Sequence, residues 1–175
     1  MIILGLDLST SITGATVLDR EGNTLLCESW DTRNKNKFPL LFHKAQFVRK
    51  NLFGLQYPIT KIYIEQPFTF FNSGGSTAKT MATLQRFNGI ISWICYNDLN
   101  MIPEYVTATQ ARKLCDLKVP RGTKAKEVAL QFFLDNGNEI EYTKHGNPKP
   151  GSYDRADSWV IAKAGHRLWK EGLKS

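Results

Sequence analysis

An α/β fold, with a mixed five-stranded sheet covered by helices, is predicted by three features of this 175-residue chain. It opens with three extended segments in a row. Two further β-branched segments follow, each set between stretches of helical periodicity. It closes on a long helix with a continuous apolar stripe. The order β-β-β-α-β-α-β-α plus a final helix mixes antiparallel and parallel neighbours in one sheet. The length suits a single domain spanning 1–175.

The first strand is the apolar run Ile2, Ile3, Leu4 and Leu6, buried on both faces, into which Asp7 is set. An unpaired buried charge is costly, so such an Asp takes a cation, a donor network or a metal as partner. The turn residues Ser9, Thr10 and Ser11 lead to a second apolar stretch, Gly14 to Leu18. Ala15 to Asp19 and Thr24 to Trp30 form a hairpin about Arg20-Glu21-Gly22-Asn23. After a polar, basic loop over 31–37, Leu41, Ala45, Val48 and Leu52 recur at helical spacing, predicting a helix over 39–53.

Thr60 to Glu65 alternates and is β-branched, so it reads as a fourth strand ended by Pro67. An aromatic loop, Phe68 to Gly75, is either tucked onto the core or displayed for stacking. A helix over 76–98 has Leu84, Phe87, Ile91, Ile94 and Cys95 on one face and Ala82, Ile90 and Trp93 on the other. Two apolar faces suit a central helix or one that meets another subunit. A fifth strand is expected over 101–106, a short helix after Thr107 or Thr109, and another over 123–134. Residues 135–151 have three Gly, two Pro and no apolar period, and are expected to form a mobile loop. In the last helix, over 152–171, Asp157, Ile161, Ala164 and Leu168 share a stripe that Asp154 extends backward.

Composition narrows the function classes. No apolar run is long enough to cross a bilayer, so no membrane partner is expected. No basic region precedes the first apolar residues, so a secretory signal is not expected. Cys27, Cys95 and Cys115 lie too far apart for a zinc site or a disulfide framework and suit a reducing compartment such as the cytoplasm. Twenty-three bases against sixteen acids give a net charge of +7, which favours an anionic partner. Arg112, Lys113, Lys118, Arg121, Lys124 and Lys126 cluster, with Lys144, Lys149 and Arg155 beyond them. Of these, Lys118, Arg121, Lys124, Lys126 and Arg155 are the candidates to contact an anionic partner, the DNA phosphates if the resemblance given below holds, though each also suits a solvated surface.

Four acids carry the chemistry: Asp7, Glu65, Asp154 and Asp157. Two end strands, and two begin a helix on its buried side. Each has a plainer reading: Asp154 and Asp157 suit a helix N-terminus, Glu65 a salt bridge, and Asp7 a solvent-facing strand end. Together they would repel strongly unless cations lay between them. Hard oxygen ligands suit Mg2+, with Mn2+ as a substitute. Two such ions about 3.5–4 Å apart can flank a phosphodiester.

The opening I-I-L-G-L-D-L-S-T-S-x-T-G, the segment I-Y-I-E-Q-P-F and the closing Y-D-R-A-D-S-W-V-I-A-K-A together resemble the RuvC family of Holliday junction resolvases, within the ribonuclease H-like superfamily. The resemblance runs from Ile2 to about Leu168. It implies a ribonuclease H-like fold whose first three strands are antiparallel, and a homodimer that places two active sites on a four-way junction. It implies that Asp7, Glu65, Asp154 and Asp157 bind metal and that the enzyme nicks DNA in pairs, leaving 5′ phosphate and 3′ hydroxyl ends. Phe68 matches the family's wedging aromatic, with Phe70 and Phe71 beside it. Lys124 or Lys126 matches the catalytic lysine, Lys126 aligning better. The helix carrying Leu84, Phe87, Ile91 and Ile94 matches the dimer helix. The longer 135–151 loop and the more aromatic 68–71 segment depart from the bacterial enzymes. Phage-encoded and poxviral relatives that accept several branched DNAs are similar in this respect, so a bacterial or phage-infected cytoplasm is implied.

Three rival functions share parts of this pattern. An ATP-binding domain of the actin and sugar-kinase type has a similar first hairpin, but it needs a second lobe, so no nucleotide cofactor is expected. A non-catalytic branched-DNA binder that has kept the fold is a second alternative, which nothing in the sequence requires, since all four acids are present. A ribonuclease H acting on RNA–DNA hybrids shares the fold, but a dimer helix favours a four-way junction.

Overall fold

In the computed structural model, which describes residues 1–67 and 78–173, five strands form one sheet of order β3-β2-β1-β4-β5. They are β1 (Ile3–Asp7), β2 (Ile12–Leu18), β3 (Thr24–Asp31), β4 (Lys61–Glu65) and β5 (Glu104–Val106). The first three are antiparallel in sequence order, while β4 lies parallel to β1 and β5 parallel to β4. The central strand is therefore β1, whose apolar run is buried throughout. The helices are α1 (Leu41–Gly54), α2 (Ala78–Leu99), α3 (Ala108–Leu114), α4 (Ala125–Asp135) and α5 (Ser152–Gly172). No helix among the described residues is long and apolar enough to cross a membrane.

The strand period of two sorts the core into two layers. Leu4, Leu6, Ala15, Val17, Ile62 and Ile64 face α1 and α2. Ile3, Leu18, Tyr63 and Val106 face α3, α4 and α5. By the same alternation Gly5 and Asp7 share the α5 side with Ile3, and Glu65 shares it with Tyr63.

Helix α5 lies almost directly on that side of the sheet. A Cβ at Gly5 would come 2.6 Å from the Ala162 nitrogen, and one at Gly14 would overlap the Asp154 carbonyl. On the helix, Gly165 makes room for the Tyr63 ring. Buried Thr16 and Ser158 share a hydrogen bond of 2.8 Å across the same seam, and Trp159 Nε1 donates to Thr24 Oγ1 at 2.9 Å. Trp159 also meets Phe132 and Phe133 edge to face, tying α4 to α5.

Two elements differ from expectation. The fifth strand pairs over only three residues, Glu104 to Val106, and begins just after Pro103, which has no N–H to give to a ladder. Residues 136–150, expected to be mobile, carry a β-bridge between Tyr142 and Pro148. The Thr143 N–H donates to the Asn147 carbonyl at 2.8 Å, and Lys149 pairs with Glu141 at 2.5 Å. Gly and Pro mark the turns of a small hairpin there, not an absence of structure.

Candidate active site

Asp7 and Glu65 end adjacent parallel strands, since Leu6 is paired with Ile64. Both face α5. Gly14, the register partner of Asp7, lies under the Asp154 carbonyl, so the first turn of α5 sits over the end of β1. Asp157, one turn on, shares the wall of a small cavity with Glu65 and Arg112. The cavity holds about 20 Å³, room for one water. Asn88 of α2, itself buried, donates its side-chain amide to the Glu65 carbonyl at 3.3 Å and fixes the strand end from the other layer.

All four acids are half-buried, and their charges act on one another. Burial raises the Asp7 carboxyl well above its ordinary range, and the charges of Glu65, Asp157 and Asp154 raise it further. Burial, then Asp157, pushes Glu65 up to about 7. Burial pushes Asp157 up to about 6, with Asp154 adding to it. Asp154 is raised chiefly by burial. Lys126 opposes the shift at all four acids.

The donor set, four carboxylates with no thiol or imidazole among them, fits a hard divalent cation. Among the described residues, no three acidic, histidine or cysteine side chains yet stand close enough together to hold an ion.

The other expected site residues fall as follows. Lys126 lies in the first turn of α4 and is exposed, and its charge reaches the whole acid group. Lys124 caps the same helix and is exposed, as are Lys118 and Arg121 on the α3–α4 connection. Phe68, Phe70 and Phe71 lie outside the described residues. Arg155, expected on DNA, is instead committed to the protein: its Nε donates to the Cys27 carbonyl at 3.1 Å and its guanidinium covers the Phe133 ring. Adjacent residues of a helix point about 100° apart, so Arg155 diverges from Asp154.

The expected dimer face also needs correction. Phe87, Ile91 and Ile94 are buried in the monomer's own core, and Leu84 is half-buried. The outward stripe of α2 is Ala82, Gly89, Trp93 and Tyr96, with Trp93 and Tyr96 each 59% exposed.

Arg112 was missed as a site residue. It is half-buried on α3, and its charge lowers both Glu65 and Asp157. Its place in a basic cluster was visible, but seven residues of helix carry too little periodicity to say which base turns inward.

No protein-family model matches the sequence, and no curated protein matches it. Solved structures do. RuvC of T. thermophilus in complex with a Holliday junction substrate superposes with a TM-score of 0.69 at 16% identity, covering 98% of this chain and 96% of that one. A second structure of Thermus thermophilus RuvC gives 0.66 at 14%, covering 98% and 97%. The yeast mitochondrial Holliday junction resolvase Ydc2 gives 0.65 at 14%, covering 98% and 80%. At these identities the likeness is one of fold. The sheet order, the antiparallel first three strands and the helices on both faces are the ribonuclease H-like fold in the arrangement shared with the RuvC and Ydc2 resolvases.

Proposed function

We propose that this protein is a divalent-metal-dependent endonuclease that cuts Holliday junctions and other branched DNA. One observation carries the proposal: Asp7 and Glu65 end adjacent strands, the first turn of α5 with Asp154 sits over the end of β1, and Asp157 shares a cavity wall with Glu65, so acids from three distant parts of the chain gather at one place, where the charge of Lys126 reaches all four. An acid group with raised proton affinity, fronted by cations, is what a metal and a phosphodiester site requires. The RuvC structure solved with a Holliday junction substrate supports the choice of substrate.

Asp7, Glu65, Asp154 and Asp157 would hold the metal. When bound, the metal would supply activation of water and neutralisation of charge on the phosphate. Lys126 and Arg112 offset negative charge that builds on the phosphate as the bond breaks. The exposed Lys118, Arg121 and Lys124 hold the backbone leading to the site through contacts that weaken with salt.

A homodimer would place two such sites on one junction for paired nicks. Its contact surface is the outward stripe of α2, where Ala82, Gly89, Trp93 and Tyr96 follow near-heptad spacing and the small residues admit close approach of a second helix.

The test is cleavage of a four-way junction, a splayed duplex, a linear duplex and an RNA–DNA hybrid, each with Mg2+ and with chelator. Wild-type protein is expected to cut the branched DNAs only with metal, and Asp7→Asn to bind the junction without cutting it. Preferential cutting of the hybrid would replace the proposal with a ribonuclease H activity. Junction binding without cleavage under any metal would leave a non-catalytic binder. Asp7→Asn cutting at the wild-type rate would remove Asp7 from the site.

A further inference from the structure

Residues 32–64 contain seven bases and no acid. Arg49 and Lys61 of that stretch are paired with Asp98 and Glu104. Arg33, Lys35 and Lys37 crowd the connection between β3 and α1, and Lys44 lies in the first turn of α1.

This loop is built rigidly and beside the acids. The Thr32 N–H donates to the Ser11 carbonyl at 2.8 Å, and Lys44 donates to the Thr10 carbonyl. Both bonds pin the loop to the turn that follows Asp7. Asn34 Oδ1 accepts the N–H groups of Asn36 and Lys37, each at 3.0 Å. Phe38 is buried with its ring 5.1 Å from that of Phe47, anchoring the far end. The loop holds Arg33, Lys35 and Lys37 exposed. Lys35 and Lys37 have no ion-pair partner among the described residues, although Lys37 Nζ lies 5.4 and 5.6 Å from the Phe38 and Phe47 rings, so Lys35 is the freer of the two. Arg33 pairs with Asp31 at 2.6 Å, and the two act on Asp154 in opposite directions. Arg112 acts on Glu65 and Asp157. Because β3 and β5 are the two edges of the sheet, the bases of the β3–α1 connection and those of α3 lie to either side of the acids that end β1 and β4.

We propose that the 32–40 loop is a second DNA-backbone ridge, which grips phosphates on the β3 side of the site while Lys118 to Lys126 grip them on the α3–α4 side. This inference rests on the nuclease reading above and extends its DNA surface. A duplex held from both sides presents one phosphate to the acids between them. The preset loop holds its charges in place without an ordering cost at binding.

The test uses a fluorescent four-way junction in chelator, with affinity measured across a salt series. Each phosphate contact contributes about 0.9 to the slope of log K against log salt. Lys35→Gln is expected to lower that slope by about one. The double variant Lys35→Gln, Lys37→Gln is expected to lower it by about two and to weaken binding about tenfold to thirtyfold at 0.15 M salt. Lys50→Gln with Lys170→Gln removes the same charge from exposed positions outside the loop and is expected to leave the slope unchanged. A double variant that matches wild type, or a control that falls as far, overturns the ridge alone. Wild-type protein that binds no DNA overturns the nuclease reading and the ridge with it.

Discussion

Replacing Glu65 by Gln is expected to stabilise the metal-free protein while destroying its chemistry. Gln keeps the shape of the side chain and removes a charge that the fold holds at a cost. In the native protein Glu65 is pushed from 4.5 to about 7, first by burial and then by Asp157. At about 1.4 kcal/mol per pH unit, ionised Glu65 disfavours the native state by about 3 kcal/mol, or about 2 after allowance for partial solvent screening. The folded protein binds the proton more tightly than the unfolded chain. The penalty is therefore absent below about pH 4.5, grows as pH rises, and is complete above about pH 7.

Urea unfolding in chelator at pH 8 and pH 5 reads this directly. Glu65→Gln is expected to gain about 2–3 kcal/mol at pH 8 and less than about 1 kcal/mol at pH 5. Magnesium is expected to narrow the gap at pH 8, since a ligand that binds only the native state stabilises wild type by mass action. A variant no more stable than wild type at pH 8 would refute the reasoning. So would an equal gain at both pH values, which would trace to packing rather than charge.

Three further outcomes follow from the geometry. Gly14→Ala drives a methyl into the Asp154 carbonyl and is expected to cost about 2–4 kcal/mol by urea unfolding, with loss of cleavage even where the protein still folds. Lys126→Gln is expected to slow junction cleavage at least about tenfold at saturating DNA, while Lys124→Gln weakens binding and leaves the saturated rate within about twofold. If the proposed dimer forms through the exposed stripe of α2, wild type is expected to sediment as a dimer and Trp93→Glu as a monomer in analytical ultracentrifugation, with circular dichroism unchanged.

Much of the architecture could be read from the chain because its local signals agree. The alternation in Ile3 to Asp7 and Ile62 to Glu65 places Asp7 on the same side as Ile3 and Glu65 on the same side as Tyr63. The Asp154–Asp157–Ile161 stripe does the same on the helix. Other features depend on contacts that no local pattern encodes. The two apolar faces of α2 are visible in sequence, but which of them meets β4 depends on how the helix is set down on the sheet, and Phe87, Ile91 and Ile94 took the inner place. Arg155 looked like one more base in a basic region, and only the packing of α5 on β3 turns it toward Cys27. The inward turn of Arg112 depends on where a two-turn helix docks against α5, a placement that seven residues cannot specify.

Because α5 meets the sheet main chain to main chain at Gly5 and Gly14, no side-chain rotation stands between the helix and the strands. The placement of the acids is thereby decoupled from the outer surface of the molecule. Loops at the rim can lengthen, change charge or turn aromatic without disturbing the centre. A fold built on this seam keeps its four acids in place whatever its rim carries.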